Sequence, residues 1–391
     1  MSEFRRSKGD LLNKVPALLL AAILLSDSRA MASDRTDVAV WVYGAQAWSD
    51  SEAIRHLARR PARAGRLYLS VETGSRLLVD DPADAARIGA ALDAAACLGL
   101  QVEAMLLQDP GWLKDSEGAA VRAARVIAFD RARRAAGRPG FIGLHFDIEP
   151  HTEEEWVCGD ATARRDMLRR LHDVFGRIAR ARDEAGAPRL MLSAALPWWL
   201  GSLSAEMPEA APSALLTRLD EMVLMVYGDP GGPLVGESAA AVLRRVDDPR
   251  IWSRIPPGRG LRVGLATYEY RDEAALEVAI REVSVHLGGR AGFRGVAVFE
   301  LDQPFSAPLV ASIAGQVLDR VGTPIPGARI QVANRTTSTN RCGLFGLAGV
   351  PFPAAFLTVV APGFAPAEVS LAGLVPGRER TLPPITLEVP P

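Results

Sequence analysis

Between residue 38 and residue 299, eight short β-rich runs alternate with Ala-, Arg- and Leu-rich stretches, and this alternation leaves few folds open. The runs are Val38–Tyr43, Arg66–Val71, Gln101–Leu107, Phe141–Ile148, Arg189–Leu196, Glu221–Tyr227, Leu261–Thr267 and Gly295–Phe299. Helices are expected near 51–62, 83–98, 116–137, 160–185, 209–218, 236–254 and 272–288. Ser51-Glu52 and Asp81-Pro82 read as helix starts, because a Ser or Asp side chain accepts from the first unpaired N–H groups. Eight such units match the size and order of a (β/α)8 TIM barrel. A doubly wound open sheet is the alternative. The barrel is favoured because no Gly-x-Gly-x-x-Gly loop follows the first run, and polar and aromatic residues gather after most runs, not at one crevice.

Beyond about residue 310 the texture changes to short strands separated by Gly and Pro, with no helical stretch. The fold class expected is therefore α/β, a (β/α)8 barrel over 35–309, followed by a small all-β sandwich over 312–391. Residues 1–32 read as a signal peptide: Arg5, Arg6, Lys8 and Lys14 precede the apolar run Val15–Leu25, and Ala30-Met31-Ala32 offers a cleavage site. The expected location is exported, periplasmic or extracellular, with no membrane span after cleavage. A formal net charge of -1 gives no reason to expect nucleic acid as a partner. Near-exclusive use of Arg over Lys points to a GC-rich, bacterial source. Cys97, Cys158 and Cys342 are odd in number and widely spaced, which carries no metal signature and leaves room for one disulfide. No cofactor is indicated.

The fourth run carries the chemistry. Side chains alternate along a strand, so Gly143, His145, Asp147 and Glu149 share one face, and apolar Leu144, Phe146 and Ile148 share the other. Successive polar groups on a buried face are costly unless paired or used. Pro150 ends the run, having no N–H for a ladder. In a barrel all eight strand ends meet at one mouth. There Trp41, Tyr43, Gln46, Trp48, Glu72, Trp198, Trp199, Tyr227, Asp229, Glu269, Glu300 and Asp302 would join Asp147 and Glu149. Aromatic faces beside carboxylates suit sugars, whose C–H faces stack on rings while their hydroxyls bond to acids. The expected substrate contacts are Trp41, Tyr43, Trp198, Asp229, Glu300 and Asp302. His145 invites a metal reading, but with five His in the chain and none converging on it, a histidine hydrogen-bonded inside the barrel is the better one.

Two resemblances follow from these residues. The C-terminal stretch resembles a carboxypeptidase regulatory-like domain, a transthyretin-like sandwich, through Gly315-Gln-Val-Leu-Asp, Gly322-Thr-Pro-Ile-Pro-Gly-Ala-Arg-Ile, Gly343-Leu-Phe, Gly349-Val-Pro and Ala361-Pro-Gly-Phe. Such domains are accessory units, and here one would contact glycan or the cell envelope. The barrel resembles, at a distance, family-18-type glycoside hydrolases. Their strand four ends Asp-x-x-Asp-x-Asp-x-Glu, of which this chain keeps Asp147 and Glu149 and replaces the earlier acids by Ile142 and His145. Their strand-six Met-x-Tyr matches Met225-Val-Tyr227, with the following Asp displaced to Asp229. Their Ser-x-Gly-Gly is absent, and Phe299 stands at their strand-eight Trp.

The resemblance implies that Glu149 protonates a glycosidic oxygen, its pKa raised by nearby Asp147. Asp147 and Tyr227 would hold a substrate N-acetyl group acting as internal nucleophile. A second scheme takes Glu149 as acid/base and Glu269 as nucleophile, which requires carboxyl groups about 5–5.5 Å apart. The catalytic set is thus Glu149, Asp147, Tyr227 and Glu269, in an exported glycoside hydrolase acting on a poly- or oligosaccharide. The alternative is an inactive secreted carbohydrate-binding or envelope scaffold protein.

Overall fold

A computed structural model describes residues 38–43, 64–227, 239–270, 272–299, 310–351, 353–374 and 379–390. The expected signal peptide and the helix near 51–62 lie outside the described residues. Eight parallel strands close into a barrel: β1 Val38–Val42, β2 Ala64–Ser70, β3 Gln101–Leu106, β4 Gly143–Phe146, β5 Met191–Pro197, β6 Glu221–Met225, β7 Gly260–Ala266 and β8 Phe293–Phe299. Each strand pairs with its neighbours in sequence, and β8 returns to β1. Closure leaves no edge to protect.

The helices form where the sequence supplies caps and an apolar stripe. In α1, Pro82–Cys97, the Asp81 carboxylate accepts from the N–H of Ala83 and Asp84. Asp115 caps α2, Ser116–Ala135, in the same way. After the short α3, Glu154–Cys158, Asp160 caps α4, Ala161–Glu184. Along α4 the buried residues Met167, Leu168, Leu171, Val174, Phe175 and Ile178 recur at three- and four-residue spacing. They meet the outer face of β4, where Leu144, Phe146 and Ile148 are fully buried and Phe146 lies 5.8 Å from the Phe175 ring. Burying each such side chain stabilises the fold by about 1.5–3 kcal/mol. The remaining long helices are α5, Ala239–Val246, and α6, Glu273–Leu287.

Two expected helices are shorter than their spacing predicts. Near 209–218 there is a 3-10 turn at Pro208–Ala210 and a four-residue helix at Pro212–Leu215, because each proline removes an N–H and restarts the chain. The helix expected at 236–254 breaks at Asp248-Pro249. Strand four is also shorter than Phe141–Ile148, since Phe141 gives its N–H to the Asp130 side chain and Asp147 lies past the last ladder pair.

The sandwich contains β9 Val310–Leu318, β10 Arg329–Val332, β11 Arg335–Ser338, β12 Leu344–Pro351, β13 Phe356–Val360, β14 Ala367–Ser370, β15 Glu379–Thr381 and β16 Ile385–Thr386. β9 pairs with β12, β15 and β16, and the second sheet runs β11-β10-β13-β14. Ile313, Val317, Ile330, Phe345, Leu357 and Val359 are among the residues of a core separate from that of the barrel. No helix among the described residues is long and apolar enough to cross a membrane.

Gly143 shows how tightly the barrel is built around strand four. A Cβ there would stand 2.7 Å from the carbonyl oxygen of Met191 and 2.9 Å from its Cβ, so backbone, not a flexible side-chain tip, would have to move. Gly143→Ala is therefore expected to destabilise the protein by about 1–3 kcal/mol, read as a lower midpoint in urea denaturation.

Candidate functional site

The inward face of the barrel is read by alternation along each strand. Toward the N-terminal ends lie four charged residues: Arg66 on β2, Glu103 on β3, Glu221 on β6 and Arg262 on β7. Arg66 Nη1 donates to Glu103 Oε1 at 2.9 Å and to Glu221 Oε1 at 3.0 Å. Arg262 Nε donates to Glu221 Oε1 at 3.0 Å, and Tyr68 Oη donates to the same oxygen at 3.3 Å. Two guanidinium groups face two carboxyl groups. Burial pushes the Glu103 carboxyl up to about 7, against the pull of Arg66. Glu221 and Glu103 hold Arg66 above its ordinary value although burial opposes them.

The next level toward the mouth carries His145. It stacks on Tyr68, with ring centroids 3.8 Å apart, and is wholly buried. Trp41 Nε1 donates to His145 Nε2 at 3.1 Å. An indole N–H can only donate, so Nε2 is unprotonated and Nδ1 carries the proton. Nδ1–H donates to Ser193 Oγ at 2.7 Å, and Ser193 Oγ–H donates to Glu103 Oε2 at 2.5 Å. Burial, reinforced by Arg66 and Arg262, lowers the pKa of His145 well below the usual imidazole range, which agrees with the neutral tautomer. The histidine expected to be hydrogen-bonded inside the barrel is so. Among the described residues, no group of three or more His, Cys, Asp or Glu could hold a metal ion.

Above this level are the acids. Asp147 is 7% exposed and accepts from Tyr43 Oη at 3.0 Å, across the barrel interior from β1. Glu149 is half-buried and stands where the backbone turns into the 3-10 segment Pro150–Thr152, its carbonyl accepting from both Thr152 N–H and Thr152 Oγ1. Phe299, ending β8, lies 5.9 Å from Trp41, 5.6 Å from Tyr43 and 5.2 Å from Tyr227, on which it stacks. Tyr43, Tyr227 and Phe299 thus form an aromatic group beside Asp147. Glu269 follows β7 in the turn Thr267–Glu269 and is 2% exposed.

Several expected residues sit differently from one another. Trp41, expected as a sugar contact, is 1% exposed and packed below the mouth at the level of Tyr68, with its N–H on His145. Of the tryptophan pair after β5, Trp199 packs against His151 and Trp156, while Trp198 is half-buried at the start of the turn Trp198–Ala205. Glu72 is paired: it accepts from Gln108 N–H at 2.9 Å and from Arg122 Nε at 2.7 Å. Gln46, Trp48, Asp229, Glu300 and Asp302 lie outside the described residues. The residues missed were Ser193 and the four charges of the floor. Their signal was there: Arg66, Glu103, Glu221 and Arg262 are charged positions inside otherwise apolar β-runs.

The disulfide for which the three cysteines leave room is Cys158–Cys342, a pairing the sequence did not single out, which joins α3 to the turn before β12. Beside it Arg341 donates from its backbone N–H to the Glu154 carboxylate, and from Nη2 to the Glu154 carbonyl at 3.3 Å. Cys97 is a free, exposed thiol.

Against known proteins, residues 312–388 match the carboxypeptidase regulatory-like domain family. The C-terminal module is a domain of that kind. No curated protein matches the chain. Among solved structures, a chitinase from Chromobacterium violaceum is similar at 13% identity, over 68% of this chain and 94% of that one, with a TM-score of 0.46. A GH18 chitinase from Pseudoalteromonas aurantia is similar at 12% identity over 68% and 94%, TM-score 0.45. An intracellular xylanase from Thermoanaerobacterium saccharolyticum is similar at 11% identity over 70% and 90%, TM-score 0.44. The barrel itself rests on its own strand pairing.

The Glu103 carboxyl gives the barrel a pH signature. Its pKa is about 4.5 in the unfolded chain and about 7 when folded, so between these values the folded state binds more protons. Stability from this group is therefore full below about pH 4.5 and declines as pH rises through about 7. The stability of the wild type relative to Glu103→Gln should be greater at pH 5 than at pH 8, by up to a few kcal/mol, in urea titrations at the two pH values.

Proposed function

We propose that this protein is an exported glycoside hydrolase acting on a poly- or oligosaccharide, with Glu149 as the proton donor. The observation that carries the proposal is the placement of Asp147 and Glu149 just past the end of β4, with Asp147 oriented by Tyr43 Oη at 3.0 Å beside an aromatic group. Active sites of (β/α)8 barrels lie at this end of the strands, and a sugar needs both stacking surface and acid in the same place.

In this reading Glu149 gives its proton to the leaving oxygen of the glycosidic bond. Asp147, fixed by Tyr43, orients the group that attacks the anomeric carbon, and Tyr227 supports that group from β6. Where the substrate carries an N-acetyl group, its carbonyl oxygen is the attacking atom. Otherwise Glu269 on β7 takes that part. Trp198, Asp229, Glu300 and Asp302 extend the contacts to neighbouring sugars. The disulfide Cys158–Cys342 supports export, because such bonds persist in oxidising compartments.

One observation favours a second reading, a carbohydrate-binding protein without turnover. The position before Asp147 on the inward face holds a neutral histidine committed to Trp41 and Ser193. It cannot share a proton with Asp147 as a carboxylic acid would.

The substitution Glu149→Gln separates the two. If the enzyme reading holds, it lowers the rate of glycan hydrolysis by about 10²–10⁴-fold while glycan binding survives. Wild-type protein that binds glycans yet hydrolyses none across a broad panel would establish the binding protein. Hydrolysis undiminished in Glu149→Gln would move the acid elsewhere.

A further inference from the structure

The chain breaks its own alternation where β3 ends. Glu103 and Met105 face the barrel interior, while Ala104 and Leu106 face the helices. Leu107 should then turn inward at the level of Asp147, since Met105 pairs with His145. It does not. Its φ is 59°, and its fully buried side chain joins Leu106 in the outer core. A left-handed backbone is costly for a branched side chain, and where the surroundings impose it the place is often a functional one. The other non-glycine residues with positive φ among those described, Arg254 and Ala333, are in exposed turns. The turn at Leu107 brings the next residue, Gln108, back to the inner side, half-buried at the mouth.

Gln108 Nε2 donates to Ser70 Oγ at 2.7 Å. Ser70 follows Tyr68 on the inner face of β2 and stands level with Met105, hence with His145. A carboxamide resting on that hydroxyl from the mouth side is one level higher, the level of Asp147. The Tyr43–Asp147 hydrogen bond joins β1 to β4 and so passes the ends of β2 and β3, which supply Ser70 and Gln108. The orientation of the amide is fixed. Ser70 Oγ–H donates to the Glu72 carbonyl at 2.9 Å, so toward Gln108 it can only accept. The amide nitrogen faces Ser70, and Oε1 is left as an open acceptor with no hydrogen bond among the described residues. The backbone beneath is held too. Glu72 accepts from the Gln108 N–H at 2.9 Å with one oxygen and from Arg122 Nε at 2.7 Å with the other. Arg122 in turn donates to the Ser75 carbonyl at 3.0 Å and lies over the Trp112 ring.

From this we infer that Gln108 is a specificity-determining residue, whose carboxamide oxygen accepts a hydrogen bond from a hydroxyl of the sugar ring lodged against Asp147. That the ligand is a sugar rests on the function proposed above, and holds for the hydrolase and the binding protein alike. Two hydrogen bonds already fix the residue that bears the acceptor, so binding costs little further ordering. A sugar without a hydroxyl at that place would leave the acceptor unpaired once water is expelled, and so is disfavoured. The contact is made to bound substrate and transition state alike. It therefore governs affinity, where Glu149 governs turnover.

The test titrates the full chain calorimetrically with a panel of neutral and N-acetylated oligosaccharides, then with monodeoxy analogues of the tightest binder. Gln108→Met keeps the size of the side chain and removes the acceptor, with Gln108→Ala beside it as a second variant. Each should weaken binding of the parent sugar about threefold to tenfold. Against one monodeoxy analogue the same substitutions should cost nothing, because the hydroxyl they would have lost is already gone. Asp109→Ala, on the exposed turn that follows, reports on a displaced loop and should bind as the wild type does. Where hydrolysis is found, Gln108→Met should raise KM by the same factor and leave kcat unchanged, unlike Glu149→Gln. Undiminished binding in both Gln108 variants, a loss that persists with every monodeoxy analogue, or an equal loss in Asp109→Ala would overturn the assignment. If the affinities change as expected but no glycan is cleaved, Gln108 stands and the hydrolase reading falls. A wild type that neither binds nor cleaves any of the panel overturns the assignment together with both functional readings.

Discussion

Where (β/α)8 barrels commonly fill their interior with branched apolar side chains, this one buries a paired layer of four charges. Arg66, Glu103, Glu221 and Arg262 come from four strands, and none could be buried singly without a large desolvation cost. Together they balance. Because each bond joins different strands, the layer sets which residues of β2, β3, β6 and β7 stand level, and so fixes the stagger at which the barrel closes. Tyr68 carries the order upward by bonding Glu221 and stacking on His145, and His145 ties Trp41 and Ser193 to the same column. The mouth residues Tyr43 and Asp147 stand on this column one inward position higher.

Small residues make the column possible. Gly143 lies level with Glu103, and Gly264 lies against Tyr227 and Trp41, where a Cβ would come within 3.4 Å of either ring. Ala39, Ala195 and Ala297 share the inner cluster with Trp41 and Tyr68. Large aromatic groups near the mouth thus depend on missing side chains opposite them. A methyl group added at these positions acts on the site through packing, with no contact to substrate required.

Much of the fold was legible. Alternating β-runs and helical stripes predicted all eight strands within a few residues, and Asp81-Pro82 marked a helix start that the cap confirms. The inward and outward faces of β4 followed from a period of two. What was not legible depended on pairs distant in sequence. Nothing local links Trp41 to His145, or Cys158 to Cys342, and each partner alone reads as an ordinary core or loop residue. The prolines at 208 and 212 were visible, but helical spacing outweighed them in reading 209–218, and the backbone cost of Pro prevailed. Its place near the end of the first run put Trp41 among the mouth residues. Depth, which separates floor from wall, came only with the closed barrel.

The hydrogen bonds from Trp41 to His145, from His145 to Ser193 and from Ser193 to Glu103 all point the same way. The chain of donors has a sense, running from the mouth toward the floor. Trp41 can serve only as its source, because an indole has no acceptor nitrogen, and an ionised Glu103 can serve only as its sink. No member between them can turn around alone without setting two donors or two acceptors face to face. The interior therefore has a polarity as definite as that of a helix, built from side chains in place of peptide groups, with its hydrogens and hence its positive end turned toward the floor and Glu103.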